Sequence, residues 1–182
     1  MGAAPGFDPV AFHARFRPDA LACADLTTGE RLTYRDFSAR AWIAARRVAK
    51  ALKRKRGERV ALLSGNSAMS AVLVVACERA GAVLAPLNWR LTAAELAGLI
   101  ADAEPALLVA EAEFADAARE AIASAGLSIQ VVSPESLAGP DAADLKMPEL
   151  KPLRGNEGCI ILYTSGTTGR PKGVVITREN AL

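Results

Sequence analysis

From Arg59 onward, short apolar runs alternate with segments of helical periodicity, and few architectures accommodate such a pattern. Arg59 to Leu63 reads as a strand. Ser64-Gly65-Asn66-Ser67 is a turn whose Asn or Ser can cap a helix running from Ala68 to Ala80, closed by Gly81. Val83 to Pro86 is the next strand, and Thr92 with Glu95 forms a capping box opening a helix to about Ala103. Ala106 to Ala110 (strand), Ala112 to Ala125 (helix, closed by Gly126) and Ser128 to Val132 (strand) continue the series. Strands this uniformly apolar, each separated from the next by a helix, predict an α/β fold with a mostly parallel sheet flanked by helices on both faces. Ligands of such sheets collect beyond the carboxyl ends of the strands.

Upstream, Thr33 and Asp36 form another capping box. Phe37, Ala41, Ala44, Ala45, Val48 and Leu52 then recur at helical spacing until Gly57. Residues 1 to 30, punctuated by Pro5, Pro9, Pro18 and Gly29, read as loop-like, and His13 within them reads as a surface or packing residue. Residues 133 to 157 read as a connector, with Pro134, Gly139, Pro140, Pro148, Pro152 and Gly155 and no clear period. The expected organisation is therefore an α/β subdomain at 9–132, a connector at 133–157, and a strand, loop, strand and helix start at 158–182.

Charge and cysteine content exclude several classes. A net charge of +2 over 182 residues offers no general basis for binding nucleic acid. Arg46, Arg47, Lys50, Lys53, Arg54, Lys55, Arg56 and Arg59 are concentrated in one stretch, read as the solvated end of a helix rather than a polyanion site. Cys23, Cys77 and Cys159 are odd in number and far apart, which indicates neither a disulfide framework nor a zinc site and fits a reducing cytoplasm. The longest apolar run, Ala68 to Cys77, is too short to span a bilayer, and the first residues lack the pattern of a signal peptide.

The chemistry concentrates near the end. Cys159 to Tyr163 reads as a buried strand, and Val174 to Ile176 as a returning one. Between them, Thr164-Ser165-Gly166-Thr167-Thr168-Gly169-Arg170-Pro171-Lys172-Gly173 holds three glycines, four hydroxyls and one lysine. Glycines let backbone N–H groups approach anionic oxygens, hydroxyls add donors, and a lysine adds a mobile positive charge, so the mixture suits phosphate. A hydroxyl can also serve a magnesium ion that bridges phosphates. A plain glycine hairpin would explain the glycines but not the lysine or the density of hydroxyls. The segment is not a Walker A loop, because no Gly-Lys-Ser/Thr follows Gly166, and no G-x-G-x-x-G is present.

The run from Tyr163 to Val174 resembles the phosphate-loop signature of the adenylate-forming superfamily, which holds acyl-CoA synthetases, luciferases and peptide-synthetase adenylation domains. Leu32 to Phe37, Gly57 to Leu63, Ala80 to Thr92 and Glu95-Leu96 resemble the same superfamily in the expected order. The resemblance implies the first part of a large N-terminal domain. It also implies a two-step reaction in which a carboxylate and ATP give an acyl-adenylate and pyrophosphate, and a thiol such as coenzyme A then displaces AMP. By that likeness Thr164, Ser165, Gly166, Thr167, Thr168, Gly169 and Lys172 would hold the ATP phosphates, with Thr164 also a contact for Mg2+. The stretch Pro86 to Thr92 is most like acyl-CoA ligases of fatty or aromatic acids, although Trp89 is read equally as a packing residue.

Many relatives carry Thr-His after the loop, where this chain has Thr177-Arg178, so a role for the histidine does not transfer. Thr177 with Asn180 starts a helix in whose first turn the sequence ends. The resemblance supplies no catalytic residue within these 182 positions, and the expectation is a parent ligase whose 182-residue portion is inactive by itself. Two alternatives stay open: a non-catalytic module that binds nucleotide or self-associates through an uncovered sheet edge, and an adenylation domain that loads a carrier protein.

Overall fold

The computed structural model describes residues 7–52, 57–138, 152–164 and 171–181. Its centre is a six-stranded sheet in the order β6-β5-β3-β4-β7-β8, with a separate two-stranded sheet, β1-β2, beside it. The central strands are β3 (Arg59–Leu63), β4 (Val83–Leu87), β5 (Leu107–Ala110) and β6 (Gln130–Val132), all parallel. β7 (Gly158–Thr164) joins β4 in parallel, and β8 (Lys172–Thr177) returns antiparallel along β7.

The apolar runs of β3 and β5 arise because each strand faces two cores. Val60, Leu62, Leu107 and Val109 point to one face, where α2 (Tyr34–Ala51) and α3 (Ala68–Ala80) pack with Val48, Val72, Leu73 and Leu84. Ala61, Leu63, Leu108 and Ala110 point to the other, against α4 (Ala93–Ala103) and α5 (Ala115–Ser124), with Leu96, Ile100 and Ile122. A strand wetted on one side would alternate polar with apolar; these do not, because no side is wet.

The helix starts follow their caps. Thr33 and Asp36 make the expected capping box at α2, and Thr92 and Glu95 make one at α4. Ser67 caps α3, which Gly81 closes at φ 75°. Part of the basic stretch has a structural purpose: Arg59 donates to the carbonyls of Ala103 and Glu104 at 2.6 and 3.1 Å, satisfying the end of α4, and Arg47 donates to Ser136 O at 2.8 Å. Lys53 to Arg56 lie outside the described residues.

Two expectations need correction. Residues 7 to 30 are not simply loop-like: α1 (Pro9–Phe16) is a helix with Asp8 as N-cap and Pro9 at its first position, and β1 (Leu21–Ala24) pairs antiparallel with β2 (Arg31–Thr33). Proline was misread as punctuation where it is favoured at a helix start. The helix expected from Ala112 opens instead with a 3-10 turn, Ala112–Phe114, before α5. Within the segment expected to be a connector, 133–157, the described residues include a short helix, α6 (Pro134–Ala138), and Leu153, which is buried with its N–H bonded to Glu78 O at 2.9 Å.

Candidate functional site

β7 and β8 form a hairpin whose register runs from Gly158 opposite Thr177 at its base to Thr164 opposite Lys172 at its mouth. The backbone therefore brings together Thr164 and Lys172, which flank the glycine- and hydroxyl-rich motif. Both are exposed, and among the described residues the Thr164 hydroxyl has one long 3.5 Å contact, to the Lys172 carbonyl. That oxygen keeps lone pairs to offer. Ser165, Gly166, Thr167, Thr168 and Gly169 lie outside the described residues.

Gly173 has a different purpose from the one its place in the motif suggests. It sits directly opposite Tyr163, and an added Cβ would lie 3.0 Å from Ile161 Cγ2 and 3.3 Å from the Tyr163 ring. Its missing side chain makes room for the aromatic ring, and so for the direction Tyr163 takes out of the strand. The Tyr163 hydroxyl donates to Asp102 Oδ2 on α4 at 2.7 Å. Burial, then this hydrogen bond and the Asp102 charge, push the phenol well above its ordinary value, and Arg59 opposes them weakly. The group is thus a permanent donor.

The base of the hairpin is held by charge. α7 (Arg178–Ala181) begins immediately after β8, and Arg178 is only 4% exposed. Its Nε donates to Glu78 Oε2 at 3.3 Å and its Nη2 to the carbonyl of Phe7, while its backbone N–H bonds Glu157 O. Beside it Arg79 donates to Asp8 Oδ2 at 2.8 Å and to Ser38 O at 3.0 Å, with the Trp42 ring 4.5 Å away. Burial raises the Glu78 carboxyl above its ordinary value against the pull of Arg178. Arg178 is thus a buried strut between the hairpin, α3 and the N-terminal segment.

A cavity of about 730 Å3 opens beyond the carboxyl ends of β3 and β4, lined by Asp25, Ser64, Asn66, Ser70, Trp89 and Arg90 over an apolar floor. Neither Thr164 nor Lys172 lines it. Trp89 stacks on Phe114 with centroids 5.5 Å apart and carries Arg90 at 4.1 Å, in line with the packing role. The buried Asp25 carboxylate accepts from the backbone N–H groups of Thr27, Thr28 and Ala68, which fastens the β1–β2 turn to the start of α3. His13 packs against Tyr34 at 4.8 Å, as a packing residue should. Burial pushes the Cys77 thiol up to about 12, far from any nucleophilic use.

Among the described residues no group of three or more His, Cys, Asp or Glu is placed to cage a metal. A magnesium ion here would be held chiefly by phosphate oxygens and water, with the Thr164 hydroxyl as one protein oxygen. That is the ordinary way nucleotide-bound magnesium is held, and the loosely tied hydroxyl fits it. No helix among the described residues is long and apolar enough to cross a membrane.

A strand, a motif-bearing hairpin mouth and a parallel sheet covered by helices are the parts of an adenylate-forming domain. The family described as AMP-binding enzyme matches residues 10–182, and the chain belongs to that family. Feruloyl-CoA synthase from an Amycolatopsis species is 37% identical over 170 residues, covering 92% of this chain and 32% of that protein. The fatty acid–[acyl-carrier-protein] ligase ScoC of Streptomyces coeruleorubidus is 35% identical over 173 residues, covering 93% and 32%. The inhibitor-bound N-terminal domain of FACL13 from Mycobacterium tuberculosis superposes with a TM-score of 0.80 at 33% identity, over 93% of this chain and 43% of that one. The chain spans about a third of the length of the curated relatives it matches.

The mostly parallel, helix-flanked sheet is the expected fold. Sequence reasoning did not find the Tyr163–Asp102 and Arg178–Glu78 pairs. Their partners lie 61 and 100 residues apart, and no local signal links them.

Proposed function

We propose that these residues form the phosphate-gripping part of an ATP-dependent carboxylate-activating ligase. The observation that carries the reading is the hairpin mouth, which presents an exposed hydroxyl and an exposed ammonium group on either side of a glycine- and hydroxyl-rich sequence. In the reaction, a carboxylate oxygen attacks the α-phosphorus of ATP, pyrophosphate leaves, and a thiol then displaces AMP from the acyl-adenylate. Lys172 offsets charge on the terminal phosphates. Thr164, Ser165, Gly166, Thr167, Thr168 and Gly169 supply hydroxyl and backbone donors, and Thr164 also supplies one oxygen to Mg2+. Positioning and charge neutralisation are what such a loop contributes to transfer at phosphorus.

The organisation goes with this reading: an α/β subdomain at 9–132, a connector at 133–157, and the hairpin with its following helix at 158–182. A fatty or aryl acid is the substrate class, coenzyme A the acceptor and the cytoplasm the setting. A carrier protein is the alternative acceptor, since the relatives at similar identity include a carrier-protein ligase. The 182 residues do not turn over by themselves, because they correspond to about a third of the relatives' length.

Calorimetric titration with Mg-ATP tests the grip. Binding that weakens on Lys172→Met supports it, and absence of binding overturns it. Pyrophosphate release measured with fatty and aryl acids should stay at background, and turnover would refute the inactivity. A second reading is self-association through the hairpin, favoured by Leu162, Val174 and Val175 at 43, 50 and 59% exposure. Light scattering that reports oligomers without nucleotide binding would favour it.

A further inference from the structure

Both ends of the proposed phosphate loop face helix α4. Tyr163, the residue before Thr164, reaches Asp102 with its hydroxyl at 2.7 Å. On the returning side, Pro171 borders a cavity of about 350 Å3 together with Glu95, Gly98, Leu99 and Asp102. β7 meets the sheet in register at only one pair, Leu84 with Ile160, so the parallel ladder stops short of the loop. The β7–β8 ladder continues to Thr164 and Lys172, but the mouth is tied to the rest of the fold through the Tyr163 side chain. α4 is a firm base for that, since a capping box holds its start and Arg59 its end. Gly173 lies under the Tyr163 ring and lets it lean toward α4.

We infer that Tyr163 and Asp102 are a positioning pair which sets the angle at which β7 delivers Thr164 into the phosphate grip. The inference rests on the proposed phosphate-binding function. It assigns neither residue a contact with the nucleotide. Asp102 acts against its own charge, because a carboxylate near a polyphosphate repels it and is tolerated only for the hydrogen bond it accepts.

That opposition makes the test decisive. The 182-residue chain is titrated with magnesium tripolyphosphate, a probe with no adenine, and amide exchange is followed in the ligand-free protein. Tyr163→Phe keeps the ring and removes the bond, and is expected to weaken binding about three- to tenfold, the effect of one exposed charge-assisted hydrogen bond. Asp102→Asn keeps an acceptor and removes the charge, so it should bind at least as tightly as the parent. In Tyr163→Phe, exchange should quicken at Thr164 and Gly173 but not at Cys159 and Ile176, which distinguishes positioning from general loosening. If the parent binds and Tyr163→Phe binds equally well, or if exchange quickens evenly along the hairpin, the positioning role is overturned while the phosphate grip survives. If the parent does not bind tripolyphosphate, the grip itself is refuted and the positioning role falls with it.

Discussion

Val60 to Leu63 in β3 and Val174 to Ile176 in β8 are both short apolar runs, and they come to opposite ends. The β3 residues are at most 5% exposed, while Val174 and Val175 are about half exposed. The first lies between two helical layers in the middle of a parallel sheet. The second is an edge strand, held by one antiparallel neighbour. Equal hydrophobicity therefore carries unequal free energy: burial stabilises only where neighbours displace water. In this molecule the α/β core supplies stability, and the hairpin, fastened at its base by Arg178 and at its mouth by Tyr163, presents the residues of the proposed phosphate grip.

Substitutions should separate the two regions. Leu108→Ala in the core of β5 is expected to cost about 2–5 kcal/mol in urea unfolding with an unchanged m-value. A cost under about 1 kcal/mol would mean the core is not close-packed there. Arg178→Ala leaves Glu78 buried without its partner and should cost about 3 kcal/mol. Amide exchange should show that this loss concentrates in 158–177, and an even loss across β3 and β5 would erase the proposed division. Gly173→Ala presses on Ile161 and Tyr163 and should cost about 1–2 kcal/mol, felt as faster exchange at the hairpin mouth.

Acid should act through the N-terminal ties. Burial would raise the Asp8 carboxyl, yet the Arg79 guanidinium and the Ala11 N–H hold it below the ordinary 3.8. Backbone donors from Thr28 and Ala68 depress Asp25 likewise. A depressed carboxyl gives its full stabilisation above its unfolded value, and the contribution disappears as pH falls through the folded one. Stability should thus be level near neutrality and fall below about pH 4. Asp8→Asn with Asp25→Asn should lower the plateau and flatten the fall. Glu78, raised by burial, has the opposite sign: its contribution grows as pH falls toward 4.5 and is complete before the aspartates protonate. The smallest effect expected is Val175→Thr, within about 0.5 kcal/mol; a core-sized loss would show that β8 is covered after all.

Much of the central fold was legible because its signals are local. The capping boxes at Thr33 and Thr92 need only residues three apart, and the two-sided apolar strands reveal a parallel sheet without any knowledge of its order. α1 was missed because Asp8-Pro9 was read as a break rather than as a cap followed by a favoured first residue. The strand β1 was missed because its four residues include no fully buried side chain and carry little pattern. Lys172 stands out by type, since no plain hairpin needs a cation there, and the structure places it exposed opposite Thr164. Tyr163 and Gly173 were read as parts of a motif, and nothing in the motif says that one makes room for the other.

Helices and strands are written in neighbouring residues, because periodicity and capping act over a few positions of chain. Which strand lies at the edge, and which acid receives Tyr163 or Arg178, was decided only by tertiary structure. Asp102 and Glu78 look like any other surface acids in the sequence, and folding alone distinguishes them by bringing a hydroxyl and a guanidinium into hydrogen-bond reach.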